Sequence, residues 1–111
     1  MFYDPDIVTP EMAEEFIKRM HEENAILAFD STLLAIQNDT KKLRQRLSKI
    51  SNPALIIWGR NDRIIPYQDQ LIEYLKISDV DLKIIDVCGH VPFIEIPSTF
   101  IEIVIEFLLD K

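Results

Sequence analysis

The sequence predicts an α/β protein in which a mainly helical first half precedes a β-α-β-α second half. Two short segments, the apolar run 54–58 and the mainly apolar residues 82–87, are typical of strands. An amphipathic segment separates them, and strands joined by such a helical crossover run parallel. Two strands are fewer than a stable sheet needs, so we expect an incomplete parallel sheet.

The first predicted helix begins at a clear N-terminal signal. Residues 1–7 are expected to be an extended or loop entry. Thr9 is a candidate N-cap because Pro10 and the acidic Glu11 follow it, as in many helix N-termini. This helix is expected to continue to about His21.

The next part of the chain is also predicted to be helical, with internal boundaries left open. A second helix is expected over residues 24–29 or beyond. Residues 30–32 either cap a third helix over 33–37 or bend one continuous helix. Residues 39–40 are polar, and we expect them to cap a further helix over 41–50.

The run from Ala54 to Trp58 is bounded by Pro53 and Gly59, and its unbroken apolar character is typical of a strand buried on both faces. Asp62 follows shortly after the strand ends. In open α/β sheets, ligands and reactive groups gather beyond the carboxyl ends of the strands. Asp62 is therefore a candidate functional carboxylate.

A second unit repeats this design. Residues 67–77 have the spacing of a crossover helix, and the predicted strand 82–87 follows. His90 comes directly after this second strand. Because parallel strands end at the same edge of a sheet, we expect Asp62 and His90 on neighbouring loops. A final helix, residues 98–109, carries an apolar stripe suited to packing on the sheet.

Two motifs together resemble the C-terminal part of the α/β-hydrolase fold family: Trp58-Gly59-Arg60-Asn61-Asp62 with Ile65-Pro66, and Gly89-His90-Val91-Pro92-Phe93-Ile94-Glu95-Ile96-Pro97. In that family the catalytic groups occur in the order nucleophile, acid, histidine. The resemblance implies that Asp62 is the acid and His90 the catalytic histidine. It covers residues 50–111.

The resemblance also implies a reaction. It predicts hydrolysis of a carboxylic ester, or of a related C–C bond in a diketone-like small molecule, by a Ser-His-Asp type triad. It implies neither a metal nor an organic cofactor. The sequence contains no Gly-x-Ser-x-Gly nucleophile motif, so this chain is expected to supply acid and histidine without the nucleophile.

Further residues in or outside the two motifs are predicted to have other roles. Val91 and Phe93 are candidates for contacting substrate. Cys88 is expected to be a buried structural cysteine rather than a nucleophile. Glu95 is expected to form a structural hydrogen bond or cap, and His21 is expected at the surface of a helix.

The resemblance suggests a division of the chain into a lid-like helical segment, residues 1–40, and a C-terminal α/β portion, residues 41–111. Because the predicted sheet has an exposed edge, we expect a fragment of a longer hydrolase, a subunit completing a split enzyme with an N-terminal hydrolase half, or a self-associating chain. An inactive truncated hydrolase serving as an oligomeric or partner-binding domain is the alternative. A small binding domain with coincidental Asp62 and His90 is a third possibility.

The excess of acidic over basic residues limits the kinds of molecule that this chain is expected to bind. Asp and Glu number 19 against 12 Lys and Arg, giving a net charge of −7, which argues against binding to nucleic acid. The sequence has no apolar segment long enough to predict a membrane span, and its N-terminus has no signal-peptide pattern. A single cysteine fits a reducing compartment, so a cytoplasmic location is expected.

Overall fold

A computed structural model describes residues 1–110. In chain order its elements are a 3₁₀ helix Pro5–Ile7, α1 Pro10–Met20, α2 Ala25–Leu47, β1 Ala54–Gly59, α3 Tyr67–Tyr74, β2 Val80–Ile85, α4 Pro92–Glu95 and α5 Pro97–Asp110. The order confirms a helical first half followed by β-α-β and a terminal helix. Within residues 1–110, no helix has the length and apolar character needed to cross a membrane.

The predicted parallel sheet is present, with one correction to its second strand. β1 and β2 pair in parallel, in a register that sets Ala54 opposite Val80 and Gly59 opposite Ile85. β2 starts and ends two residues earlier than the predicted strand at 82–87. The reason lies at Val87, whose φ of 55° is left-handed and incompatible with a strand.

The first helix follows its predicted signals closely. The Thr9 hydroxyl accepts a hydrogen bond from the Met12 N–H at 3.2 Å, which confirms the N-cap. Residues 5–7, expected to be extended or loop, form a short 3₁₀ helix instead. The Asp4 side chain stabilises it by accepting from the Asp6 N–H at 2.9 Å.

The helix α2 is continuous, so the predicted cap at residues 39–40 is wrong. The Thr40 hydroxyl donates back to the Ile36 carbonyl, and the Thr32 hydroxyl donates to the Ala28 carbonyl at 2.8 Å. Hydroxyls bonded in this way lie along the helix and do not cap a new one. The boundary predicted between residues 40 and 41 falls inside α2, and the lid-like assignment stays a prediction.

The buried part of the molecule is small and lies in the segments that precede and follow β2. Ile77, Cys88 and Val91 are its buried hydrophobic side chains, among residues 1–110. The Cα radius of gyration is 16.5 Å, whereas a compact domain of this length has a radius of about 13 Å. Many large apolar side chains therefore remain exposed on the helices.

Candidate active site

A tight turn after β1 carries Asp62 to the sheet edge. The turn is fixed by backbone hydrogen bonds from the Arg60 N–H to the Ile85 carbonyl at 2.8 Å and from the Asn61 N–H to the Cys88 carbonyl at 2.9 Å. Both bonds join the end of β1 to the chain that leaves β2. The two loops predicted to be neighbours are therefore held together directly by their backbones.

Gly59 allows this close approach. A Cβ atom at this position would lie 2.0 Å from the Gly89 carbonyl oxygen and 2.5 Å from that of Cys88. Any side chain would push the two loops apart. The glycine at the strand end thus serves the contact between the loops.

The Asp62 carboxylate is fully engaged. Its Oδ1 accepts hydrogen bonds from the Ile64 N–H at 2.8 Å and the Ile65 N–H at 2.9 Å, while Oδ2 lies 2.7 Å from Nδ1 of His90. The residue is only 8% exposed. The expected proximity of Asp62 and His90 is confirmed as a direct hydrogen bond.

The environment keeps Asp62 ionised. Burial acts to raise the pKa of its carboxyl group, but hydrogen bonds from Ile65, His90 and Ile64 outweigh burial, and the pKa is lowered. An ionised carboxylate can only accept, so Nδ1 of His90 must be the donor. The opposite ring nitrogen, Nε2, is then the one left to exchange protons with a reacting group.

The backbone around His90 is held from two directions. Glu95 accepts from the Gly89 N–H at 2.9 Å and the Val91 N–H at 3.1 Å, which confirms its predicted structural hydrogen bonding. The His90 N–H donates to the Met1 carbonyl at 2.7 Å. The Tyr3 N–H also donates to Glu95, at 2.8 Å.

This role of Met1 and Tyr3 was not predicted from the sequence. Their contacts with the His90 loop are made by main-chain atoms some 90 positions away, and main-chain contacts leave no pattern in residue type. The acidic Glu95 was the available signal, since a carboxylate close after the histidine can accept from the N–H groups of the loop.

Cys88 is completely buried next to this site. Burial raises the pKa of its thiol to about 11, with further contributions from the charges of Glu95 and Asp62. At neutral pH the thiol therefore stays protonated, and a protonated thiol is a poor nucleophile. The structural role expected for Cys88 agrees with this environment.

The two predicted substrate contacts occupy different environments. Val91 is 4% exposed, whereas Phe93 is 57% exposed and packs edge-to-face on Phe100 with ring centroids 6.0 Å apart. Their contact with a substrate stays a prediction. His21 is exposed immediately after the end of α1, with its Nδ1 2.8 Å from the Ile17 carbonyl oxygen.

An open cavity of about 310 Å³ lies beside the pair. It is lined by residues 55–59 of β1 together with Asp62, Tyr74, His90 and Pro92. Both members of the hydrogen-bonded pair therefore border this cavity.

Comparison with known proteins identifies the fold. A sequence model of the alpha/beta hydrolase fold matches residues 10–97, which is most of the chain. This chain belongs to the α/β-hydrolase fold family. The motifs that carry the resemblance, at residues 58–66 and 89–97, lie inside the matched range.

Two curated relatives of this hydrolase-fold chain have known activities. It is 33% identical over 111 residues to a 2-hydroxy-6-oxononadienedioate/2-hydroxy-6-oxononatrienedioate hydrolase of Burkholderia vietnamiensis, with 96% of this chain and 37% of the relative covered. It is 32% identical over 104 residues to a pimeloyl-[acyl-carrier protein] methyl ester esterase of Nitrosospira multiformis, with 94% and 38% covered. The chain thus spans little more than a third of each relative.

A solved hydrolase structure has a similar fold over nearly the whole of this chain. A meta-cleavage product hydrolase superimposes with a TM-score of 0.81 at 26% identity, covering 98% of this chain and 42% of that protein. Almost every element of the present chain therefore has a counterpart in a larger hydrolase. Its two-stranded sheet corresponds to part of the larger parallel sheet of the fold.

Proposed function

We propose that this chain provides the acid and the general base of a hydrolase that cleaves a C–C bond, or an ester bond, next to a carbonyl group. The observation that carries the proposal is the 2.7 Å hydrogen bond from His90 to a buried, ionised Asp62 at the end of a parallel sheet. An imidazole held in one tautomer by a carboxylate is the arrangement that a Ser-His-Asp triad requires.

Each residue then has a defined task. Nε2 of His90 takes the proton of a serine hydroxyl as the serine oxygen bonds to the substrate carbonyl carbon. The charged ring is stabilised by Asp62 and returns the proton to the leaving group as its bond to that carbon breaks. His90 next takes a proton from water as the water oxygen attacks the acyl carbon, and it returns that proton to the serine oxygen as the acyl–serine bond breaks, which releases a carboxylic acid and the free serine.

We propose that the nucleophile lies outside these 111 residues. The sequence has no Gly-x-Ser-x-Gly motif, and its serines occupy other positions; Ser78, for example, donates its hydroxyl hydrogen to the Ile50 carbonyl at 3.3 Å. Backbone N–H donors that stabilise the oxyanion would accompany that nucleophile. The chain acts only when this further part of the fold is joined to it or bound to it.

The relatives suggest the substrate class. The Burkholderia vietnamiensis protein is named for a 2-hydroxy-6-oxo dicarboxylate, and a meta-cleavage product hydrolase shares the fold over nearly the whole chain. We therefore propose C–C hydrolysis of a small keto-acid substrate. Hydrolysis of a carboxylic ester is the competing choice, since an esterase is also similar.

A chimeric enzyme tests this function. Residues 1–111 replace the matching 37% of the Burkholderia vietnamiensis hydrolase, so that the remainder supplies the nucleophile. We expect the chimera to hydrolyse the 2-hydroxy-6-oxo substrate. Asp62→Asn should lower kcat by about 10⁴-fold, since the amide favours the wrong tautomer of His90. Asp30→Asn, an exposed change of the same kind on α2, should have no effect.

The activity of the chimera distinguishes C–C hydrolysis from ester hydrolysis and from a non-catalytic role. A chimera that cleaves only short esters would transfer the proposal to ester hydrolysis. A folded but inactive chimera would favour a non-catalytic, partner-binding role for this chain. The observation that favours this second role is the outer edge of β1, which has no strand partner within residues 1–110.

A further inference from the structure

We propose that Glu95 is a positioning residue that holds the backbone of His90 in register with Asp62. This inference rests on the proposed function, because it concerns the base of that reaction. Glu95 would act through the peptide groups on either side of the histidine and through the N-terminal segment, residues 1–3. The hydrogen bonds of Glu95 go to the main-chain N–H groups of Tyr3, Gly89 and Val91.

The first support is the arrangement of donors on the carboxylate. Oε2 accepts from the Gly89 N–H at 2.9 Å, and Oε1 accepts from the Val91 N–H at 3.1 Å. These two peptide groups lie on either side of His90. One side chain, anchored in the short helix α4, thus fixes the backbone immediately before and after the proposed base.

The second support is the hydrogen bond of the His90 N–H itself, which involves the N-terminal segment. The His90 N–H donates to the Met1 carbonyl at 2.7 Å, and the Tyr3 N–H donates to Oε2 of Glu95 at 2.8 Å. Glu95 therefore also holds the segment that receives the His90 N–H. Three consecutive peptide N–H groups depend on it, two directly and one through the N-terminal segment.

The packing around this arrangement is close. A Cβ atom at Gly89 would lie 2.5 Å from the Met1 carbonyl oxygen and 2.8 Å from the Tyr3 nitrogen. The N-terminal segment therefore lies directly on the loop, with no room for a side chain between them. Displacement of residues 1–3 would consequently move the His90 backbone.

Glutamine cannot replace Glu95 in this role. Both carboxylate oxygens accept hydrogen bonds from N–H groups, and a glutamine amide has one oxygen and one NH₂. In either orientation the NH₂ would face an N–H donor, leaving at least one peptide group unpaired. A shift of about 1 Å at a proton-transfer group can lower a rate about 100-fold.

The direct test is NMR of the His90 ring in the unmodified chain. We expect a deshielded Nδ1–H resonance from the bond to Asp62, distinguished from His21 by His21→Gln and abolished by Asp62→Asn. Glu95→Gln should broaden this resonance or move it upfield while the rest of the spectrum stays folded. Glu102→Gln, the same change on an exposed face of α5, should leave it unchanged.

A folded Glu95→Gln protein with the original Nδ1–H resonance would overturn the proposal. If Glu95→Gln fails to fold, Glu95→Asp is the test variant. Aspartate keeps both acceptor oxygens, but its side chain is one methylene shorter, so the oxygens lie farther from the N–H groups. A folded Glu95→Asp protein should show a perturbed resonance. If neither variant folds, Glu95 stabilises the fold in general, and the positioning role is wrong.

The chimera separates this inference from the proposed function. There, Glu95→Gln should lower kcat by about 100-fold with KM little changed, since the base and not the substrate contacts are displaced. If the unmodified chimera is inactive while Glu95→Gln still perturbs the Nδ1–H resonance, the proposed function fails and the positioning role stands. An active chimera that is insensitive to Glu95→Gln would contradict the positioning role alone.

Discussion

Asp62 lies in a turn whose peptide N–H groups help to keep its carboxyl group ionised. Two N–H groups, from Ile64 and Ile65, bind one oxygen and leave the other for His90. Residue type and position after a strand made both side chains candidates, and the resemblance to the hydrolase family assigned their roles. The N–H donors were not predictable in the same way, because any residue supplies them once the turn is formed.

The lowered pKa of Asp62 predicts a specific loss of stability in acid. Its native pKa lies below the unfolded value of about 3.9. The ionised form therefore contributes stability that is fully present above that value and is lost as pH falls through the native pKa. Urea unfolding at pH 5 and at pH 3 measures this loss.

Asp62→Asn isolates the contribution of this one carboxyl group. The variant cannot titrate at this position, so its free energy of unfolding should fall less between pH 5 and pH 3 than that of the unmodified protein. Asp30→Asn is the exposed comparison and should behave like the unmodified protein. Equal acid sensitivity in the unmodified and Asp62→Asn proteins would contradict the assignment.

The element that sets the site is strand β1 with the turn that follows it. Its apolar run and bounding Pro53 and Gly59 made it predictable. The predicted end of β2 lay two residues too far along the chain, because the apolar residue Val87 has a left-handed backbone conformation that a β-branched residue disfavours. The cap predicted at residues 39–40 failed because threonine hydroxyls can also bond within a helix.

Gly59→Ala tests the close approach of the two loops. Because the added Cβ would meet backbone oxygens of Cys88 and Gly89, the backbones must separate. We expect a loss of about 1–3 kcal/mol in the free energy of unfolding, as for overpacked sites, with loss of the His90 Nδ1–H resonance. A variant with native stability and an unchanged resonance would contradict the requirement for glycine at this contact.

At the scale of the whole molecule, few side chains are buried. The radius of gyration exceeds that of a compact domain by about 3 Å, and apolar residues such as Ile72, Leu108 and Leu109 are exposed. The incomplete sheet was predictable from the number of strands. The return of residues 1–3 onto the His90 loop was not, because it depends on long-range backbone contacts.

This exposure predicts association of the isolated chain. Exposed apolar surface and open strand edges favour burial against another molecule, while the net charge of −7 opposes close packing of copies. We expect sedimentation to show a mass that rises with concentration, more strongly at high salt because the charge is screened. A single monomeric species at all concentrations and salt levels would contradict this expectation.

The proposed hydrolase function depends most on His90 acting as the general base. The decisive measurement is kcat of the chimera carrying His90→Ala, compared with that of the chimera carrying His21→Ala, which changes the exposed histidine that follows α1. Loss of a triad histidine lowers kcat by about 10⁴-fold or more, so His90→Ala should be nearly inactive and His21→Ala fully active. Equal activity of the two variants would contradict the central claim.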